Sequence, residues 1–503
     1  MARSLITGHP WRVILLFSVP LLIGNVVQQL YQFVDAIVVG RQLGVDALAA
    51  VGATGSLLFL LLGFAWGMTT GFAIPTAQAF GAHDGAAVRR SVAVGTVLTA
   101  AASVVLTVVA PLVAEPLLVL MQTPPALIPQ ATVFAQVSFL GSGAIMFFNY
   151  LSAIIRAIGD SRTPLVFLSI ACALNVAFVI VTVGPLQWGV AGAAASTVIA
   201  QALSVIWCLD YVRRRAPALH VHRADWRLRR AEVLNHLRLG LPMGFQASII
   251  AIGTLTVQVR LNELGTAEVA AYTAASRVDG LAVALLQSLG LAVSMYVAQN
   301  FGARRPDRIL RGVRQSLVIS TIASVVLGVA LVAFGRQIIE LFVGRGVENV
   351  VSMAATMLVV NAFSYAALGI LFVLRGALQG LGHALIPTIT GIVELAMRVG
   401  AAIVLGAMFG FIGIVWSNPL AWIGATLVLV PAYLYARRAL LRMPVSPLAP
   451  TPTTPIPIVG PTNGSLAVDA IVTAPVPVVV LEQRRRLLGR LPSIRPRRRR
   501  MRR

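Results

Sequence analysis

Hydrophobic residues in this chain run on without the every-second-residue polar interruption of a half-buried strand. Long apolar stretches are separated by short segments rich in Gly, Pro and Arg. Several exceed the roughly 18 apolar residues that mark a membrane-crossing helix. A backbone in hydrocarbon must satisfy its own polar groups, which leaves helices or closed barrels. Continuous runs select helices. Segmenting at the breaks predicts twelve spans, near 12–39, 47–80, 88–114, 126–155, 163–184, 189–212, 233–262, 268–301, 310–335, 349–379, 385–408 and 412–438.

The pattern repeats. Leu43-Gly44 with Ala49-Ala50 recurs as Leu264-Gly265 with Ala270-Ala271, a shift of 221. Ala77-Gln78-Ala79-Phe80-Gly81 recurs as Ala298-Gln299-Asn300-Phe301-Gly302 at the same shift. Gly159 and Pro164 match Gly382 and Pro387 at 223, and Gly189 and Gly192 match Gly410 and Gly413 at 221. Four anchors in one order define two six-span halves in the same orientation. The expected fold is therefore an all-α integral membrane protein of twelve transmembrane helices in two pseudo-symmetric six-helix bundles, a recurring secondary-transporter plan. Residues 1–212 form the first lobe, 213–232 a linker on the cytoplasmic side and 233–442 the second lobe. Residues 443–503, rich in Pro and Arg, read as a disordered cytoplasmic tail.

Composition sharpens this reading. The chain of 503 residues is 58% hydrophobic and only 11% charged, with a formal charge of +23. All 40 basic residues are Arg. If the first residues are cytoplasmic, the inside segments up to Arg442 hold 23 Arg against four outside, a strong positive-inside bias. That distribution suits a multi-pass protein of the inner (plasma) membrane with both termini cytoplasmic. It does not suit a nucleic-acid-binding face. The apolar run after the basic start continues to Val39 with no small-residue cleavage site, so it reads as a retained helix. The two cysteines, Cys172 and Cys208, allow no disulfide framework or metal cluster. There is no Lys for a phosphate-binding loop and no paired catalytic group, so no enzyme is expected.

Charges inside spans are costly and informative. Asp35 stands alone in the first span; Arg277 and Asp279 lie in the eighth, and Glu394 with Arg398, four apart on one face, in the eleventh. Gly24, Gln28 and Tyr31 share the helical face of Asp35, and Asn25 widens that strip. A carboxyl held away from water loads and releases a cation, so Asp35 is the expected coupling residue. Asn149, Asn175 and Gln201 are expected to complete a single polar pocket with it, for substrate. Pro20, fifteen residues before Asp35, removes a helical hydrogen bond and is the expected hinge.

Pro20-Leu21-Leu22-Ile23-Gly24-Asn25 with Gln28-Gln29-Leu30-Tyr31 and Val34-Asp35, then Gln78-Ala79-Phe80-Gly81, then Arg156-Ala157-Ile158-Gly159-Asp160 with Pro164, together resemble the multidrug and toxic compound extrusion (MATE) family over about residues 10–440. The resemblance implies two six-helix bundles around a central cleft and drug export driven by protons or sodium, with no other cofactor. Within the family the chain is most similar to the DinF-like branch, in which an Asp of the first helix couples transport; Asp35 holds that place. Asn149 and Asn175 match amides of that branch's first-half pocket. Its second acid, four residues beyond Asn175, is Val179 here, and the acids of the sodium-type branch in spans 7 and 10 are absent. The expected partners are small-molecule drugs, often cationic, and membrane lipids, with the protein a monomer. The alternatives are a lipid-linked precursor or polysaccharide flippase of a related superfamily, or a membrane protein that transports nothing.

Overall fold

The computed structural model describes residues 4–121, 123–343 and 347–444; the expected disordered tail lies outside the described residues. Fourteen α-helices follow in order. The first half contains α1 (Pro10–Leu43), α2 (Val45–Gly81), α3 (Gly85–Leu120), α4 (Ile128–Leu140), α5 (Ser142–Ala157), α6 (Arg162–Val183) and α7 (Gly189–Arg215). The second contains α8 (Arg230–Leu264), α9 (Thr266–Gly302), α10 (Pro306–Val343), α11 (Glu348–Gly380), α12 (Leu385–Phe409), the short α13 (Phe411–Val415) and α14 (Ser417–Leu441). Among the described residues eleven stretches are long and apolar enough to cross a membrane, and the bent pair α4–α5, taken as one span, makes a twelfth.

The fourth span differs from the unbroken helix expected over 126–155. It bends by 48° between α4 and α5, at Gly141, where a side chain would overlap Val198 of α7. The glycine lets the two helices close on each other, and the helix yields there. α1, by contrast, runs through Pro20 as one helix.

The repeat has a structural cause. Gly159 and Gly382 both adopt left-handed backbone, with φ of 90° and 89°, as do Gly189 and Gly410 at 58° and 59°. These sharp turns between spans favour residues without a Cβ, so each half keeps its glycines at equivalent places. Gln78 and Gln299 also act alike. The Gln78 side chain donates to the Gly380 carbonyl at 3.0 Å, and Gln299 donates to that of Ala157 at 2.7 Å. Each glutamine thus reaches the last residue of a helix in the other half.

These crossed bonds lie at the end of the bundle where most of the arginines gather. Further contacts tie that end together. Leu5, buried, donates its backbone N–H to Gln299 Oε1 at 2.9 Å, and Arg308 donates to the Gly8 carbonyl at 2.9 Å. The connection between halves is short and ordered, with two 3-10 turns at Pro217–Leu219 and Arg223–Trp226. Arg89 pairs with Asp225 at 3.1 Å and Arg90 with Glu232 at 2.9 Å, pinning it to α3. α2 and α8 approach closely along this end, where Gly67 and Gly71 lie against the backbone of Met243 and Gly240.

Candidate functional site

The seven residues expected in one pocket fall into two groups. The physical reason is axial. Asp35 lies ten residues beyond Asn25, and ten residues of helix rise about 15 Å. A strip along one face therefore spans much of the membrane instead of encircling a point.

The first group gathers around Asp35. Tyr31, one turn earlier on α1, lies near Asp35, Thr197 and Cys172. Asn175 of α6 is buried and donates to Thr197 Oγ1 of α7 at 2.9 Å. Three helices thus present hydroxyl, amide and carboxyl groups to one corner. Asp35 Oδ1 and Asn175 Oδ1 are both buried with no hydrogen-bond partner. Val179, fully buried one turn past Asn175, packs in an apolar cluster with Val39, one turn past Asp35. A carboxylate oxygen in such surroundings is costly while unpaired, and is relieved by taking a proton or a cation. Thr197 escaped the sequence reading. Its signal was its place four residues before Gln201, on the same face of α7.

The second group lines a cavity of about 160 Å³ nearer the Arg-rich end, with Pro20, Asn25 and Gln28 from α1, Asn149 from α5 and Gln201 from α7. The second half contributes Gln287 and Ser288 of α9, and Asn25 Nδ2 donates to Ser288 Oγ at 3.0 Å. The cavity therefore lies between the halves. Gln201 Oε1 is buried without a partner. Trp66 and Phe148 supply aromatic wall. Among the described residues no Asp or Glu lines it, and the one charged lining residue is Arg156, which the sequence reading named only within the Arg156-Ala157-Ile158-Gly159-Asp160 motif.

The two buried acids inside the spans of the second half are engaged. Asp279 accepts from Tyr365 at 2.6 Å and Asn361 at 3.1 Å. Arg277 lies on a different face, exposed, 5.2 Å from the Phe33 ring centre. The expected Glu394–Arg398 pair is present at 3.1 Å, and Arg375 adds a bond to the other carboxylate oxygen at 2.8 Å. All three are buried, so the pair is a triad with one excess positive charge.

Known proteins share both the sequence and the fold. The chain is 29% identical over 433 residues to the probable multidrug resistance protein YoeA of Bacillus subtilis, covering 84% of this chain and 93% of that protein. It is 28% identical over 377 residues to the probable multidrug resistance protein YpnP of the same organism, covering 75% and 83%. A solved outward-facing conformation of a multidrug resistance MATE family transporter of the MOP superfamily superposes with a TM-score of 0.81 at 21% identity, over 88% of this chain and 99% of that one. At that identity the likeness is one of fold. The MatE family model matches residues 20–181 and 242–399, most of both halves, and on that match the chain belongs to the MATE family of membrane transporters.

Proposed function

We propose that this protein is a secondary active multidrug efflux transporter of the DinF-like kind, in the plasma membrane, with both termini cytoplasmic. It exports small organic compounds in exchange for inward-moving protons or sodium ions, by alternating access between its halves. The observation that carries the reading is the Asp35 corner, where a carboxylate oxygen without a donor faces a tyrosine, a threonine and an amide inside an apolar helix bundle. Such a group changes its interactions when a cation arrives. A membrane protein that transports nothing gains nothing from the cost of keeping it there.

Loading Asp35 with a proton from outside removes its charge and so the electrostatic field it exerts on nearby Tyr31. That change acts on α1, which also carries Pro20, Asn25 and Gln28 along the cavity wall. One helix thus links cation site and substrate cavity, a route by which occupancy of one alters the other. One inward proton yields about 2.3 kcal/mol per 100 mV, with about 1.4 kcal/mol more per pH unit. This suffices for at least a tenfold substrate gradient.

The test is dye efflux in inverted vesicles under separate pH and sodium gradients. Asp35→Asn is expected to abolish gradient-driven movement, and the gradient that drives the wild type identifies the ion. Undiminished coupled efflux in Asp35→Asn would overturn the assignment.

A further inference from the structure

Arg156 stands in the last turn of α5, facing a cavity it shares with Asn25, Asn149, Gln201 and Gln287. Its Nε is buried with no hydrogen-bond acceptor, and it has no salt bridge among the described residues. Asp160, the carboxylate nearest in sequence, is committed elsewhere. Its oxygens accept from Arg162 N, from Thr163 N and Oγ1, and from the Tyr211 hydroxyl. The contrast with the second half is direct, because buried Arg375 and Arg398 both hold Glu394. α5's terminal carbonyls favour a cation nearby, but they leave Nε unbonded.

We propose that Arg156 is the anchor for the acidic group of an organic anion or zwitterion in this cavity. A guanidinium presents a planar fork of donors that matches a carboxylate or sulfonate, and in a cavity without acids the ligand itself supplies the missing negative charge. The amides around it offer both donors and acceptors to the ligand's other polar atoms. Trp66 and Phe148 fit a planar apolar body beside the charge. This rests on the transporter reading and deepens it: the compounds handled carry an acidic group, alone or beside a basic one, because a simple cation finds like charge in this cavity.

Equilibrium binding to purified protein in phosphatidylcholine nanodiscs tests this without any gradient, so its outcome is independent of whether Asp35 couples transport. The ligands are naphthalene-2-carboxylate, its amide and its amidinium, matched in shape and differing in charge. The carboxylate is expected to bind the wild type at least tenfold more tightly than the other two, and Arg156→Gln to erase that preference. Gln201→Glu, which supplies a carboxylate within the cavity, is expected to do the same and keeps the test open if Arg156→Gln fails to fold. Thermal unfolding checks each variant. Equal binding of the three ligands by the wild type, or a charge preference surviving in a folded variant, would overturn the proposal. So would loss of naphthoate binding when phosphatidylglycerol is added, which would assign the guanidinium to a lipid headgroup.

Discussion

Gly81 of α2 rests against the backbone carbonyl of Gln299 on α9, so closely that a Cβ would overlap it, and 221 residues further on Gly302 rests against the carbonyl of Gln78 in the same way. The two contacts are related by the internal repeat. With the crossed side-chain bonds of the same glutamines, they clasp the halves at the Arg-rich end. The clasp itself is made of hydrogen bonds and close backbone contact, and the Arg90–Glu232 ion pair joins α3 to α8 beside it.

Gly81→Ala and Gly302→Ala are therefore expected to pry this end apart. Overpacking of this kind costs about 1–3 kcal/mol, and each variant should melt several degrees below wild type in detergent. Gly52→Ala, where no atom lies within 4 Å of the added group, serves as the control and should not lower the melting temperature. Unchanged melting in the two clasp variants would contradict the packing described.

Pro20 lies at the cavity wall within a helix that continues past it. Its missing N–H leaves α1 one bond short beside the cavity, on the helix that also carries Asp35. Pro20→Ala is expected to leave substrate affinity within twofold and to slow turnover about tenfold, as changes at hinges do. Steady-state efflux compared with equilibrium binding separates the two, and full turnover would remove the hinge role.

Glu394 holds two guanidiniums at once. Glu394→Gln leaves Arg375 and Arg398 buried together without an anion, a loss of about 3–5 kcal/mol. Arg398→Met keeps the Arg375–Glu394 pair neutral and should cost much less. Melting temperatures of the two proteins give the comparison. If Arg398→Met were the more damaging, the triad would not be the unit that matters.

Asp160 sits in the turn between α5 and α6. Burial works against its ionisation, but bonds from Thr163, Tyr211 and Arg162 hold its carboxyl below the usual carboxylate range. A depressed folded-state value adds stability above the unfolded value, near 3.9, and that contribution is lost as pH falls through the folded one. Asp160→Asn should therefore melt lower than wild type at pH 6, with the two curves converging below about pH 4. Parallel curves across that range would show that the carboxylate is not the stabilising form.

The number of spans, the doubled architecture and the isolation of Asp35 were legible in the sequence because each is local. Hydropathy is a property of consecutive residues, and the repeat fixed glycines at turns where Gly159 and Gly382, or Gly189 and Gly410, share one backbone conformation. The Glu394–Arg398 pair was legible for the same reason, four residues apart on one helix. Arg375, nineteen residues before Glu394 and on another helix, was not. Tertiary structure alone decided which polar groups meet. It placed Asn175 beside Thr197 near Asp35 while sending Gln28 and Asn149 to a cavity nearer the Arg-rich end. It also left Arg156 Nε without an acceptor, because Asp160, four residues on, is engaged by Tyr211 instead. Position along a helix is fixed by residue count, but the rotation and axial offset between helices depend on side chains from both, and no single stretch of sequence contains that information.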